Sequence, residues 1–256
     1  MKYAARIALV RRPASSLAEG QLTHIERTPV DVDLAREQWR GYLAALAASG
    51  WETREVDQAE EHPDSVFIED AVVMFGDVAV LTSPGAESRR GESAGAEAAV
   101  RRLGVTVHRL ELPGTLDGGD VLKVGNTVYV GQSLRTNPDG IRQLAAIVGP
   151  LGYTVVPVPV TRALHLKTAV TALPDGTVIG YPPLVDDESL FERFLPVPEA
   201  EGTAVVVLDP QTLLMSSAAP RSAELFRARG YSVVTVDISE FEKLEGCVTC
   251  LSVRIR

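Results

Sequence analysis

Apolar residues in this chain fall into short runs closed by turn residues, and several runs repeat one plan. Asp70 leads into AVVMF, turns at Gly76-Asp77 and returns through VAVL; a polar stretch then opens an Ala-rich helix that stops at Gly104. Gly118-Gly119-Asp120 leads VLKV, turns at Gly125-Asn126, returns through TVYV and reaches the helix IRQLAAIV before Gly149-Pro150. Lys167 precedes TAVTAL, which turns at Pro174-Asp175-Gly176 into TVIG, with SLFERFL as the predicted helix. AVVVL turns at Asp209-Pro210 into QTLLM and reaches LFRARG. Each turn carries the Gly, Asn, Asp or Pro chemistry of a hairpin.

The turns near 76, 125, 174 and 209 are spaced by about 49, 49 and 35 residues, a period found in radial arrays. VTVHRLEL, YTVVPVPV and YSVVTVDI read as linking strands. Lone strands near both ends, IALV and CVTCLSVRI, join an amphipathic helix from about Asp33 to Ser49 to supply a fifth unit. The predicted fold is therefore α/β: a ring of about five ββαβ-like units in one catalytic domain spanning 1–256, closed by strands from both ends so that no sheet edge is exposed. The rival reading is an ordinary α/β sandwich.

Polar residues interrupt this pattern at four places: Glu69-Asp70 between SVFI and AVVMF, Asp117 and Asp120 ahead of VLKV, His165 within ALHLKT, and Cys250 within VTCLSV. A buried carboxylate costs several kcal/mol (roughly) unless it is paired or faces a polar cavity. Each has a plainer reading alone: a solvated acid pair, turn aspartates bonding their own backbone, a satisfied histidine, a small core thiol. Inner strands of a ring converge on an axis, where such residues share a site. His24, His62 and His108 read as surface residues.

Cys247 and Cys250 invite a redox or zinc reading. On a strand, however, positions i and i+3 face opposite ways and the sulfurs diverge; no second His or Cys pair completes a zinc site. No metal and no cofactor is expected. The net charge of −9, without a basic stripe, argues against nucleic acid. No apolar run is long enough for a membrane span or a signal-peptide core, and two cysteines make no secreted disulfide framework, so a cytoplasmic location is expected.

A thiol, an imidazole and several carboxylates suit attack on a cationic carbon. A thiol of ordinary pKa is only about 3% thiolate at neutral pH. A guanidinium about 4 Å away contributes about 4 kcal/mol at an effective dielectric near 20, roughly three pKa units. Such a substrate would generate much of its own nucleophile, and carboxylates would select it through paired hydrogen bonds.

SVFIED, PGAESRRGE, LDGGDVL, GQSLRTN, LHLKT and GCVTCLSVR, in that order and from about Leu22 to Cys250, closely resemble the dimethylarginine dimethylaminohydrolase family. The resemblance implies a five-bladed α/β propeller, the pentein fold, and hydrolysis of Nω-methylated arginine to citrulline and a methylamine. It further implies Cys250 as the nucleophile that forms a thiouronium, His165 as acid and then base, and Asp117 as the group orienting that histidine. Glu69 and Asp70 become an acidic pair near the guanidinium, Asp64 a partner of the α-amino group, Arg89 and Arg135 clamps on the carboxylate, and Leu22 part of a mobile lid. Arg90 reads as structural, Arg254 and Arg256 as solvated, and Cys247 has no assigned role. The partner is a small guanidino substrate; the family holds monomers and dimers, so a homodimer stays open. Arginine deiminases and amidinotransferases share the chemistry but are longer chains. A silent methylarginine-binding protein is the rival from another class.

Overall fold

The hairpin tips form as their sequences predict. Gly76 and Gly125 take φ of 58° and 56° at the first position of two-residue turns, the type II′ arrangement that matches strand twist. The computed structural model describes residues 6–256, and around these turns the chain forms five three-stranded sheets. In the first blade, β1 (Arg6–Val10) is followed by α1 (Val32–Ala48) and the parallel strand β2 (Trp51–Glu55). The second blade holds β3 (Val72–Phe75), β4 (Val78–Leu81), α2 (Ser93–Arg102) and β5 (Thr106–Arg109). The third holds β6 (Val121–Val124), β7 (Thr127–Gln132), α3 (Pro138–Val148) and β8 (Thr154–Pro159).

A short helix α4 (Leu166–Ala169) opens the fourth blade of β9 (Val170–Ala172), β10 (Val178–Gly180) and β11 (Phe194–Pro196). The fifth holds β12 (Val205–Asp209), β13 (Thr212–Ser216), α5 (Pro220–Ala228) and β14 (Ser232–Val236). After α6 (Ser239–Glu242), β15 (Val253–Ile255) pairs antiparallel with β1 and closes the ring. Every sheet thus has one antiparallel and one parallel pairing about its middle strand. This is the five-bladed α/β propeller.

One predicted element is absent. SLFERFL is not a helix: the fourth blade crosses from β10 to β11 through two single 3-10 turns, Pro182–Leu184 and Glu188–Leu190. The end of that run instead becomes β11, which pairs parallel with β10 through Val178–Phe194 and Ile179–Leu195. Elsewhere apolar stripes do what their spacing predicts. Asp31 caps α1 by accepting from the amides of Asp33 and Leu34, and Ala35, Trp39, Tyr42 and Leu46 bury one face against Val206, Leu214 and Phe241. Each large side chain so buried contributes roughly 1.5–3 kcal/mol.

The innermost strands β15, β3, β6, β9 and β12 all line a cavity of about 400 Å³ on the axis. Among the described residues no helix is long and apolar enough to cross a membrane.

Candidate active site

Four of the out-of-place polar residues stand just ahead of an innermost strand. Asp70 ends the 3-10 turn Ile68–Asp70 before β3, Asp117 precedes the turn Gly118–Asp120 before β6, His165 precedes α4 and β9, and Cys250 lies in the turn before β15. Four blades therefore deliver one group each to the same end of the axis. Asp70, His165 and Cys250 line a cavity of about 20 Å³ there, together with Gln21, Asp64, Phe67, Arg89, Arg135, Leu164 and Leu244–Gly246. Asp117 sits fully buried behind His165.

His165 Nε2 lies 3.0 Å from Asp117 Oδ2, and Nδ1 lies 3.9 Å from Asp70 Oδ1. Burial opposes the charged ring, but Asp70, the Asp117 hydrogen bond and Asp120 outweigh it and raise His165 to about 9. Asp117 is held in turn by the amide of Gly85, which donates to its Oδ1 at 3.0 Å. Asp70 accepts from the amide of Gly119 at 2.8 Å and from Arg89 Nη1 at 2.8 Å. Burial raises it, yet His165 and Arg89 together bring it down to about 2. Glycine at 119 is a steric requirement, since a Cβ there would lie 2.6 Å from His165 Nδ1 and 2.7 Å from Asp70 Oδ1.

Arg89 is buried and largely committed to the protein: Nε and Nη2 bond both oxygens of Glu92 at 3.0 and 2.9 Å, and Nη2 also donates to the Asp64 carbonyl. Arg135 is less engaged, with Nη1 4.0 Å from Asp117 Oδ2 and Nη2 3.5 Å from Thr23 Oγ1. Asp64 accepts from the amide of Gln21 at 3.2 Å. Glu245, in the left-handed region at φ 59°, accepts from the amides of Thr23 and His24 at 2.6 and 3.0 Å. The loop from Gly20 onward is thus pinned over the cavity from two sides. Gln21, rather than Leu22, lines the cavity; Leu22 packs against the core cluster that contains Cys250.

Four expectations are corrected. Cys250 is not in a strand: residues 248–251 form a buried turn in which its amide donates to the Cys247 carbonyl at 3.0 Å. The two sulfurs consequently converge, 3.2 Å apart, instead of diverging. Glu69 does not line the narrow cavity. Its carboxylate turns to the wide one, where Oε1 meets Lys167 Nζ at 2.6 Å and Arg254 Nη2 at 3.2 Å. Arg254 is accordingly not solvated; its side chain is 18% exposed. Arg256 is more open, but its guanidinium lies over the Trp51 ring at 5.4 Å.

Reading the sequence also undervalued Asp120. It is fully buried and accepts from the amide of Leu166 at 2.8 Å, Ser133 Oγ at 2.7 Å and Thr136 Oγ1 at 2.6 Å, so it ties the segment bearing His165 to the loop bearing Arg135. Burial raises it to about 6. Glu92, Gln21 and Glu245 gave no signal in the sequence, and Cys247 was given no role. The adjacent glycines 118 and 119 were the available sign that backbone approaches closely here. Asp70, Asp117 and His165 offer ligand atoms within 4.8 Å of one another. A cation there would have to displace the His165 proton and compete with the bonds the two carboxylates make to Arg89, Gly119, Gly85 and His165.

Five blades meeting at an axis, with Cys, His and Asp delivered to one end, define the pentein class of guanidino-modifying enzymes. The family model for arginine deiminase matches residues 55–205. Over 249 residues the chain is 63% identical to the dimethylarginine dimethylaminohydrolase of Streptomyces coelicolor, covering 97% of this chain and 96% of that one. The Pseudomonas aeruginosa enzyme, solved as a cysteine-to-serine mutant complexed with citrulline, superposes with a TM-score of 0.91 at 34% identity over 99% of this chain and 100% of that one. A dimethylarginine dimethylaminohydrolase adduct with S-methyl-L-thiocitrulline gives the same TM-score of 0.91 and identity of 34%, over 98% and 100% of the two chains. The chain belongs to the dimethylarginine dimethylaminohydrolase family.

Proposed function

We propose that this chain hydrolyses Nω-methylated arginine, asymmetric dimethylarginine first, to citrulline and the corresponding methylamine. The observation that carries this reading is the meeting of Cys250, His165 and Asp70 in one cavity of a chain 63% identical to a dimethylarginine dimethylaminohydrolase. Cys250 adds to the guanidine carbon and forms an S-alkylthiouronium. Its hydrogen bond with Cys247, burial, and the charges of Cys247, Glu69 and Asp70 raise its pKa, which keeps it a thiol until a cation arrives. A bound guanidinium reverses that balance, so ionisation and substrate capture are one event.

His165, protonated through neutral pH, donates to the departing dimethylamine and then, neutral, takes a proton from the water that opens the thiouronium. Asp117 holds the ring by Nε2, which leaves Nδ1 turned to the cavity side. Asp70, an anion fixed by Arg89 and Gly119, pairs with the guanidinium. Arg135 takes the substrate carboxylate and Asp64 its α-ammonium. Arg89 contributes chiefly by holding Asp70, with Glu92 as its counter-anchor. Glu69 acts from behind, as part of the partition between the two cavities.

A cavity of about 20 Å³ holds no more than a water-sized group. The loop that carries Gln21, Leu22 and Thr23 therefore opens to admit substrate, exchanging its bonds to Asp64 and Arg135 for those of the amino-acid end. The test is release of citrulline and dimethylamine from asymmetric dimethylarginine by the parent chain and by Cys250→Ser. Equal amounts of both products, abolished in the variant, support the reading. Ammonia from arginine, with dimethylarginine untouched, would move the chain to a deiminase, the second activity suggested by the match over 55–205.

A further inference from the structure

Cys247 makes no bond to substrate in the chemistry above and acts there only as a hydrogen-bond partner of the Cys250 thiol. The chain contains two cysteines, and their Sγ atoms lie 3.2 Å apart across one turn. That turn is closed by the Cys250 amide on the Cys247 carbonyl at 3.0 Å. A hydrogen-bonded turn keeps the Cα atoms of its first and fourth residues within about 7 Å, the range a disulfide spans. The sulfurs need to close by about 1.2 Å to reach a bond length of about 2.05 Å. Access is provided separately: Cys247 is half-buried and lines a cavity of about 270 Å³ beside the site, whereas Cys250 lines the narrow one. Leu164, Glu245 and Gly246 line both and form the wall between them.

We infer that Cys247 is a peroxide-reactive cysteine that Cys250 resolves: a hydroperoxide oxidises the pair to an intramolecular Cys247–Cys250 disulfide that reversibly shuts the enzyme. The Cys247 thiolate attacks a peroxide oxygen, the O–O bond breaks with release of hydroxide, and a sulfenic acid forms. The Cys250 sulfur, deprotonated, then attacks the Cys247 sulfur and expels its hydroxyl as hydroxide. Two thiols and one hydrogen peroxide give one disulfide and two waters; two electrons pass from sulfur to peroxide. A dithiol reverses the bond by exchange. Cys247 is suited to the first step because the hydrogen bond from Cys250 lowers its pKa to about 7 despite burial. The disulfide also keeps Cys250 from oxidation to sulfinic acid, which a dithiol does not reverse.

The disulfide stands on geometry alone; the loss of activity rests on the role proposed for Cys250. The experiment titrates the parent, Cys247→Ser and Cys247→Ala with hydrogen peroxide, follows citrulline formation and intact mass, and then adds dithiothreitol. The parent is expected to lose activity more than ten-fold with a mass loss of about 2 Da, and to recover nearly all of it. The two variants, active within about three-fold of the parent before treatment, are expected to gain about 32 or 48 Da and to stay inactive after the dithiol. Oxygen addition without the 2 Da loss in the parent, or a disulfide-linked dimer on a non-reducing gel, overturns the switch and leaves the nucleophile role intact. A 2 Da loss with activity unchanged overturns both.

Discussion

At one end of the propeller axis Asp70, His165 and Cys250 close on about 20 Å³; at the other, Lys123, Lys167, Arg254 and Arg256 surround about 400 Å³ with Glu69, the one acidic side chain lining it among the described residues. Glu69 and Asp70 are neighbours in one 3-10 turn, yet they serve opposite ends. The wide end is the larger space, but its cations would repel a guanidinium, and its acid is neutralised by Lys167 and Arg254. The narrow end holds groups whose protonation states set one another: the His165 proton is kept by Asp70 and Asp117, and the Asp70 charge is kept by His165 and Arg89. Volume locates space; mutually set protonation locates chemistry.

If that contrast is right, substitutions at the narrow end should remove activity and those at the wide end should remove stability. His165→Ala should lower kcat by roughly 10²–10⁴, because leaving-group protonation and water activation fail together. Mass spectrometry of the quenched variant should find a substrate-derived adduct on Cys250; an adduct on Cys247 would misassign the nucleophile. Asp70→Asn should come next, lowering kcat/KM by about 10–150-fold through loss of a charged hydrogen bond of roughly 1.5–3 kcal/mol. An unchanged kcat/KM would remove Asp70 from guanidinium binding.

Asp117→Asn should cost less at neutral pH but move the alkaline limb of the rate profile to lower pH. His165 must carry its proton to act as acid, so parent activity is expected to fall as pH passes about 9. Losing the Asp117 anion lowers that point. The same group gives a sign for stability. Its folded pKa of about 9 exceeds the unfolded value of 6.5, so its contribution is fully present below about 6.5 and lost as pH rises through 9. Urea unfolding of the parent should weaken over that window relative to His165→Ala. The smallest kinetic effect belongs to Lys167→Met: kcat/KM within a few-fold of the parent, with stability lowered by roughly 1–3 kcal/mol as Glu69 loses its 2.6 Å partner. A large kinetic loss there would join the two ends that the contrast separates.

Much of this was legible in the chain. Gly76-Asp77 and Gly125-Asn126 announce their hairpins, α1 shows its stripe and cap, and three of the residues that interrupt apolar runs, Asp70, His165 and Cys250, meet at the narrow end. What escaped had physical causes. The turn at 248–251 is buried on the axis and needs no Gly, Pro or Asn, so VTCL reads as a strand by composition while tertiary packing bends it. That one misreading hid the convergence of Cys247 and Cys250. Arg254 looked solvated because its partner, Glu69, is brought to it only by ring closure. The side to which Glu69 and Asp70 each turn depends on a 3-10 turn that no apolar period reveals.

Ring closure also has a meaning in time. One edge of β1 pairs with β2, near in sequence, whereas its other edge needs Val253–Ile255 from the far side of the chain. Cys250 lies in the turn immediately before that strand, so the proposed nucleophile is delivered by the same few residues that close the ring of blades. Fragments ending in the fourth or fifth blade hold His165, Asp117 and Asp70 but neither the thiol nor a closed axis. With Cys250 as the proposed nucleophile, activity would report that the last seam has zipped, and a chain truncated before it is expected to be silent.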